Sequence, residues 1–130
     1  MGEAAGEQSS LLLVDDEARV LSALERALRR EGWLIRTAES SREALQILES
    51  SRFDVVMSDQ KMPGMSGIEL LTHVGRSHPE TIRVLLTGWS EAISDDELRE
   101  AGVEKVISKP WDDLELKALL RGWLGSASRG

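Results

Sequence analysis

Residues 53–67, FDVVMSDQKMPGMSG, constrain the fold of this chain more than any other stretch. An almost unbroken apolar run, Phe53, Val55, Val56 and Met57, ends in one carboxylate, Asp59. A loop with Pro63, Gly64 and Gly67 follows, and then helical spacing begins. A short apolar run bounded by turn residues reads as a strand buried on both faces, the parallel-sheet kind. Asp59 then stands at the carboxyl end of a central strand, where open α/β sheets place their chemistry.

Other segments repeat the pattern. Residues 11–14 form a short apolar strand that stops at Asp15, Asp16 and Glu17. Residues 82–86 form another, ending at Thr87 and Gly88, and residues 103–107 a fifth, ending at Ser108, Lys109 and Pro110. These strands are expected to be buried. The strand at 33–37 is flanked by charge and suits a sheet edge. Between the strands, apolar residues recur at helical spacing. Val20, Leu21, Leu24 and Leu28 mark a helix over about 18–30, closed by Gly32. Ala44, Leu45, Ile47 and Leu48 mark a second helix, capped by Ser40 or Ser41. Ile68, Leu70, Leu71 and Val74 mark a third that ends before Pro79. Residues 91–100 form a short, very acidic fourth, and 112–124 a fifth that buries Leu116, Leu119, Leu120 and Trp123.

Five strands alternating with five helices imply a doubly wound α/β fold with a parallel sheet. With the second strand at the edge, the order is 2-1-3-4-5, the flavodoxin-like arrangement, and the switch point lies between strands one and three. That brings Asp15 and Asp16 beside Asp59. Residues 1–9 and 125–130 are polar and small and read as flexible tails around one domain, residues 10–124.

Composition narrows the classes. No apolar run approaches the ~20 residues of a membrane-spanning helix. The first ten residues have neither a basic nor an apolar signal region, and the chain has no cysteine. Net charge is −7 with scattered basic residues, so no nucleic-acid footprint is expected. The chain reads as a soluble cytoplasmic module without a membrane partner.

Four strand ends thus deliver Asp15–Asp16, Asp59, Thr87 and Lys109 to one rim of the sheet. Clustered carboxylates repel one another and need a partner. A hard divalent cation with oxygen ligands suits them, and Mg²⁺ commonly uses one or two carboxylates with waters and phosphate oxygens. Asp59 is then a candidate nucleophile for an aspartyl phosphate. Lys109 would neutralise phosphoryl oxygens, Thr87 would donate a hydrogen bond, and Gly88 would leave room for approach. Each residue has a plainer explanation. Asp15 and Asp16 could cap the first helix, Asp59 and Thr87 could be turn residues, and Lys109–Pro110 could end a strand. Their joint placement, each directly after a strand, favours the site.

VDDE at 14–17, SDQKMPGMSG at 58–67, LTG at 86–88 and KPW at 109–111 resemble the receiver domain of two-component response regulators. The resemblance covers residues 11 to about 124. It implies that Asp59 accepts phosphate from a histidine kinase or phosphotransfer protein and switches an output domain or target protein. It implies Mg²⁺ bound by Asp16, Asp59, the backbone carbonyl of Lys61, and Asp15 largely through water. Thr87 and Lys109 would contact the phosphoryl group, and the Lys109–Pro110 bond would be cis. The domain is expected to catalyse only its own phosphorylation and dephosphorylation. A partner or homodimer face would lie within residues 91–124.

Two positions depart from the pattern. Val106 stands where receivers usually carry a switching Tyr or Phe, and Trp111 replaces the usual Phe. Trp89 or Trp111 is therefore expected to carry part of the signal. A haloacid-dehalogenase-type phosphohydrolase would want an Asp at position 61, which is Lys61. A pseudo-receiver would lack an acidic or lysine position, and all are present here. A dinucleotide-binding fold would need G-x-G-x-x-G after the first strand. His73 and His78 are expected at the surface. Met57, Met62 and Met65 are expected in packing or loop contacts.

Overall fold

In the computed structural model, which describes residues 8–88 and 92–125, burial sorts the strands into centre and edge. Every residue of β1 (Ser10–Val14) and β3 (Val55–Asp59) is buried, and the middle of β4 (Ile82–Gly88) is buried too. The outer strands, β2 (Leu34–Ala38) and β5 (Val103–Lys109), are largely exposed or half-buried. All pairings are parallel, and the order is β2-β1-β3-β4-β5. The charged second strand is at the edge, as its sequence requires. The fifth strand departs from expectation. VEKVISK mixes Glu104, Lys105 and Lys109 with apolar residues, and as the other edge strand it is not buried on both faces.

Side chains alternate across a strand, and this divides the core into two layers. Leu11, Leu13, Val55, Met57, Val84 and Leu86 meet α1 (Ala18–Leu28) and α5 (Asp113–Leu124). Leu12, Val14, Val56 and Leu85 meet α2 (Ser41–Ser50) and α3 (Gly67–Ser77). Each leucine fully removed from water contributes about 1.5–3 kcal/mol of transfer free energy. On α5, Leu116, Leu120 and Leu124 take the buried positions, while Leu119 and Trp123 are only half-buried.

The helix ends follow from short polar side chains. Ser40 accepts from the Glu43 amide, and Ser66 and Ser94 each form a reciprocal capping box with Glu69 and Glu97. Asp112 accepts from the Glu115 amide. The α1 helix is different. Its N-cap position is Glu17, which makes no side-chain cap bond, so Asp15 and Asp16 precede the helix and do not cap it. A short 3-10 turn, Arg29–Glu31, ends α1, with Gly32 at φ 86°. The acidic helix is shorter than expected: α4 is Asp95–Ala101, and Ser94 is its cap. Glu91, where that helix was expected to begin, lies outside the described residues.

At the pole away from the strand ends, termini and turns are tied together. Trp33 Nε1 donates to Gly125 O at 2.9 Å, Ser9 Oγ to Leu124 O at 2.6 Å, and Gln8 Nε2 to Gly32 O at 2.7 Å. Gln8, Ser9 and Gly125 thus hold fixed partners, although their sequence reads as tail. Residues 1–7 and 126–130 lie outside the described residues.

Candidate functional site

The site is assembled by register. Val14 pairs with Ser58, so Asp15 and Asp59 occupy neighbouring strand ends at the switch point. Asp59 pairs with Leu86, which sets Thr87 one step further along β4, and Gly88 pairs with Lys109. Asp15, Asp59 and Thr87 are 1%, 4% and 6% exposed, whereas Asp16 is open to solvent.

Local structure holds each group. Asp15 Oδ1 accepts from the Glu17 amide at 2.9 Å, and the Asp15 amide donates to Ala38 O at 3.1 Å. Behind Asp59, Gln60 N donates to Leu86 O, and Gln60 Oε1 accepts from the Ile68 amide at the start of α3. Gly67 permits this close approach. A Cβ there would strike the Asp59 carbonyl oxygen, Gln60 Cα and Leu85 Cδ1. Gln60, Gly67 and Glu17 therefore belong to the construction of the site; in the sequence Gly67 read as a turn residue, and Glu17 and Gln60 only as members of the strand-end motifs.

Lys109 reaches from the edge strand over the end of β4. Its Nζ lies 2.7 Å from Asp59 Oδ1 and 3.2 Å from Asp15 Oδ2. Burial works against the lysine charge and is the largest single influence. The Asp59 hydrogen bond and the charges of Asp15 and Asp59 together outweigh it, and the Lys109 pKa rises above the ordinary value. The Lys109–Pro110 peptide is cis.

An open cleft of 600 Å³ lies above these groups, lined by Asp16, Glu17, Asp59, Lys61, Met62, Pro63, Gly88 and Lys109. A Cβ on Gly88 would meet nothing within 4 Å, so the cleft reaches the backbone there. Carboxylate oxygens of Asp15, Asp16 and Asp59 lie within 4.8 Å of one another, the one such acidic cluster among the described residues. Three carboxylates against one ammonium leave the cluster negative. An all-oxygen donor set of this size fits a hard divalent cation.

The structure thus brings together Asp15, Asp16, Asp59, Lys61 and Lys109, with Thr87 buried one residue before Gly88. Trp111 does not line the cleft; it is half-buried, with Nε1 donating to Asp113 Oδ1 at 2.8 Å. Trp89 lies outside the described residues. Val106 is 38% exposed on the edge strand. His73 is exposed and His78 is half-buried. Its Nε2 sits 3.2 Å from Leu48 O, and its Nδ1 is buried without a hydrogen-bond partner. Met57 is in the core, Met62 is buried at the cleft wall, and Met65 packs against the core layer of α2 and α3. No helix among the described residues is long and apolar enough to cross a membrane.

The chain is similar in sequence and in fold to known proteins. The hydrogenase transcriptional regulatory protein HoxA of Cupriavidus necator is 37% identical over 107 residues, covering 80% of this chain and 22% of that protein. The transcriptional regulatory protein YvrH of Bacillus subtilis is 33% identical over 119 residues, covering 91% of this chain and 50% of that protein. The chain therefore spans between about a fifth and half of the length of these relatives. Among solved structures, the signal receiver domain of an HD domain-containing protein from Pseudomonas fluorescens superposes with a TM-score of 0.85 at 32% identity, covering 95% of this chain and 100% of that one. A CheY-like receiver domain from Methanospirillum hungatei gives 0.85 at 25% identity, covering 95% and 98%. The family model for the response regulator receiver domain matches residues 11–121, the span that carries all four strand-end motifs, and the chain belongs to that family of two-component signalling domains.

Proposed function

We propose that Asp59 is the phosphoacceptor of this receiver domain and that its phosphorylation switches contacts with a downstream output domain or target protein in the cytoplasm. The observation that carries this is Lys109 Nζ lying within 3.2 Å of carboxylates from two strand ends, at the rim of an open cleft. The donor is a phosphohistidine of a sensor kinase or phosphotransfer protein. An Asp59 carboxylate oxygen attacks phosphorus as the P–N bond breaks. The electron pair leaves on the imidazole nitrogen, which then takes a proton from water. Asp15, Asp16, Asp59 and the Lys61 carbonyl would hold Mg²⁺, which, when bound, neutralises the phosphoryl oxygens. Lys109 offers its ammonium to the same oxygens once Asp59 is phosphorylated, and the Thr87 hydroxyl donates a hydrogen bond. The domain thereby catalyses its own phosphorylation and dephosphorylation and acts on no external substrate. The face built from residues 91–124 meets the partner or a second copy.

The test is tryptophan fluorescence during addition of Mg²⁺ and then beryllofluoride, on wild type and Asp59→Asn. A Mg²⁺-dependent change that the variant lacks supports the assignment. No change in wild type, with no Mg²⁺ binding by calorimetry, would replace it with a phosphorylation-independent interaction module.

A further inference from the structure

Gln60, the residue after Asp59, is half-buried and makes three hydrogen bonds. Its amide donates to Leu86 O at 3.0 Å, its carbonyl accepts from the Gly67 amide at 3.0 Å, and its side-chain Oε1 accepts from the Ile68 amide at 2.8 Å. The first amides of a helix have no partner inside it, and at the start of α3 each of them is accounted for. Gln60 takes the first two, Ser66 Oγ takes the Glu69 amide, and the Leu70 amide begins the helical ladder at Ser66 O. A cap is the plain explanation for such a side chain, yet α3 already has one in the Ser66–Glu69 capping box. What the Gln60 side chain adds is closure. Its bond to Ile68 spans eight positions and shuts the loop at residues 61–66 across its neck. That loop supplies Lys61, Met62 and Pro63 to the wall of the cleft, which Gln60 itself does not line. Ser41 Oγ, donating to Met65 O at 3.0 Å, is a second tie on the same loop.

Resting on the phosphoacceptor reading above, we infer that Gln60 is a positioning residue: it holds β4 through its amide and α3 through its two carbonyl oxygens, and so fixes the turn that carries Asp59 and the Lys61 carbonyl to the cleft. The bond to Leu86 O lies one residue before Thr87, so the same side of the turn is locked to the strand that delivers the hydroxyl. Without the Oε1 acceptor, the Ile68 amide loses its partner and the loop is free to shift about its neck. Apolar side chains of similar length cannot replace it. A carboxylate can, because it offers the same oxygen and a negative group is favoured at a helix N-terminus.

The test compares Gln60→Met, Gln60→Glu and Ser66→Ala with wild type in the full chain, by Mg²⁺ calorimetry and by backbone ¹⁵N order parameters of the metal-free protein. Gln60→Met keeps the length of the side chain and loses the acceptor. It should weaken Mg²⁺ binding about fivefold, the factor that one hydrogen bond is worth. It should also lower the order parameters of Lys61, Met62 and Gly64. Gln60→Glu should bind Mg²⁺ no more weakly than wild type, to within about twofold. Ser66→Ala removes a different bond at the same helix start. It should lower the melting temperature as much as Gln60→Met does, while leaving Mg²⁺ affinity and loop order unchanged. Equal Mg²⁺ affinity in Gln60→Met and wild type would overturn the proposal. So would an equal loss in Ser66→Ala, which would reduce Gln60 to a helix cap, or a failure of Gln60→Glu to restore binding. If wild type itself takes up no Mg²⁺, the phosphoacceptor reading falls, and the order parameters still judge Gln60. A loop loosened only in Gln60→Met would then uphold its hold on the turn, and an unchanged loop would overturn it.

Discussion

Lys109 Nζ sits 2.7 Å from Asp59 Oδ1, an ammonium from the edge strand bonded to a carboxylate on the central one. The residues come from strands separated by β4, and the contact exists because the ends of β3, β4 and β5 stop in step. Asp15 shares the same ammonium at 3.2 Å. Two buried carboxylates are therefore held together by one cation, which must rearrange when either carboxylate changes its charge or its ligand.

Removing that cation should be felt as stability before it is felt as activity. Lys109→Ala leaves Asp15 and Asp59 facing each other at 1% and 4% exposure. Breaking a fully buried pair costs about 3–5 kcal/mol, and the partial exposure of the lysine brings the expected loss to about 2 kcal/mol. Mg²⁺ should recover most of it, because a divalent cation answers the same repulsion. Urea unfolding with EDTA and with 10 mM Mg²⁺, roughly a saturating amount for a site of this type, measures both. Equal losses under the two conditions would show that the lysine and the cation do not serve the same carboxylates.

Gly67 is required by contact, since its missing Cβ is what lets α3 begin against the Asp59 carbonyl. Backbone atoms cannot yield as a flexible side chain does. Gly67→Ala should cost about 1–3 kcal/mol, the range for overpacking a well-filled site. Ser66→Ala, one residue earlier, removes half of a capping box and should cost about 1 kcal/mol without displacing β3. Only the glycine variant should also slow phosphorylation of Asp59 by a small-molecule phosphodonor. Equal phosphorylation rates in the two variants would mean that the close approach does not position the acceptor.

The site was legible in the sequence because its residues stand at or just past the carboxyl ends of strands, and apolar runs ending in carboxylates mark β1 and β3 without any knowledge of partners. Edge placement of β2 followed from its flanking charge. The exposure of β5 was not legible as written, because a run such as VEKVI satisfies both a buried and an edge strand when only its apolar residues are counted. Glu31 shows a deeper limit. In Arg-Arg-Glu-Gly it reads as a solvated helix end, yet it is 5% exposed and bonded to Arg121, ninety positions away. His78 is similar: its half-buried setting depends on Leu48 of another helix. Pairings of this range leave no local pattern.

That Glu31–Arg121 pair gives the chain an acid-sensitive contact far from the carboxylate cluster. Arg121 donates to both Glu31 oxygens, at 2.7 and 2.8 Å, and this hydrogen bonding, with the arginine charge, holds the Glu31 carboxyl below its ordinary value of 4.5. A carboxylate with a depressed folded-state pKa adds stability that is fully present above the unfolded value and fades as pH falls through the folded one. Wild type should therefore melt higher than Glu31→Gln at pH 7, and the gap should close below about pH 4.5. High salt should narrow the gap at pH 7, because Arg121 is half exposed. Melting curves of the two proteins that stay parallel from pH 7 to 3 would exclude Glu31 as the titrating group.

Trp111 offers a route from the site to α5 that Val106 does not. Val106 is short and already 38% exposed, so it has no buried position to exchange with an open one. Trp111 follows Lys109 by two residues, packs against the core layer of α1 and α5, and is pinned by Nε1 to Asp113 at the start of α5. A shift of Lys109 toward a phosphoryl group pulls on that connection. Trp111→Ala should therefore leave Mg²⁺ affinity within about twofold while reducing by at least half the beryllofluoride-induced shifts of residues 112–119. Full truncation of a buried Trp costs about 3–5 kcal/mol, so this half-buried one should cost about 2. Trp111→Phe keeps the packing but loses the bond to Asp113, and it should recover the stability while leaving part of the signal missing. Trp89→Ala is the companion variant. Undiminished shifts in both alanine variants would show that neither tryptophan transmits the change, and transmission would then have to run through the β5 backbone from Lys109 to Val106.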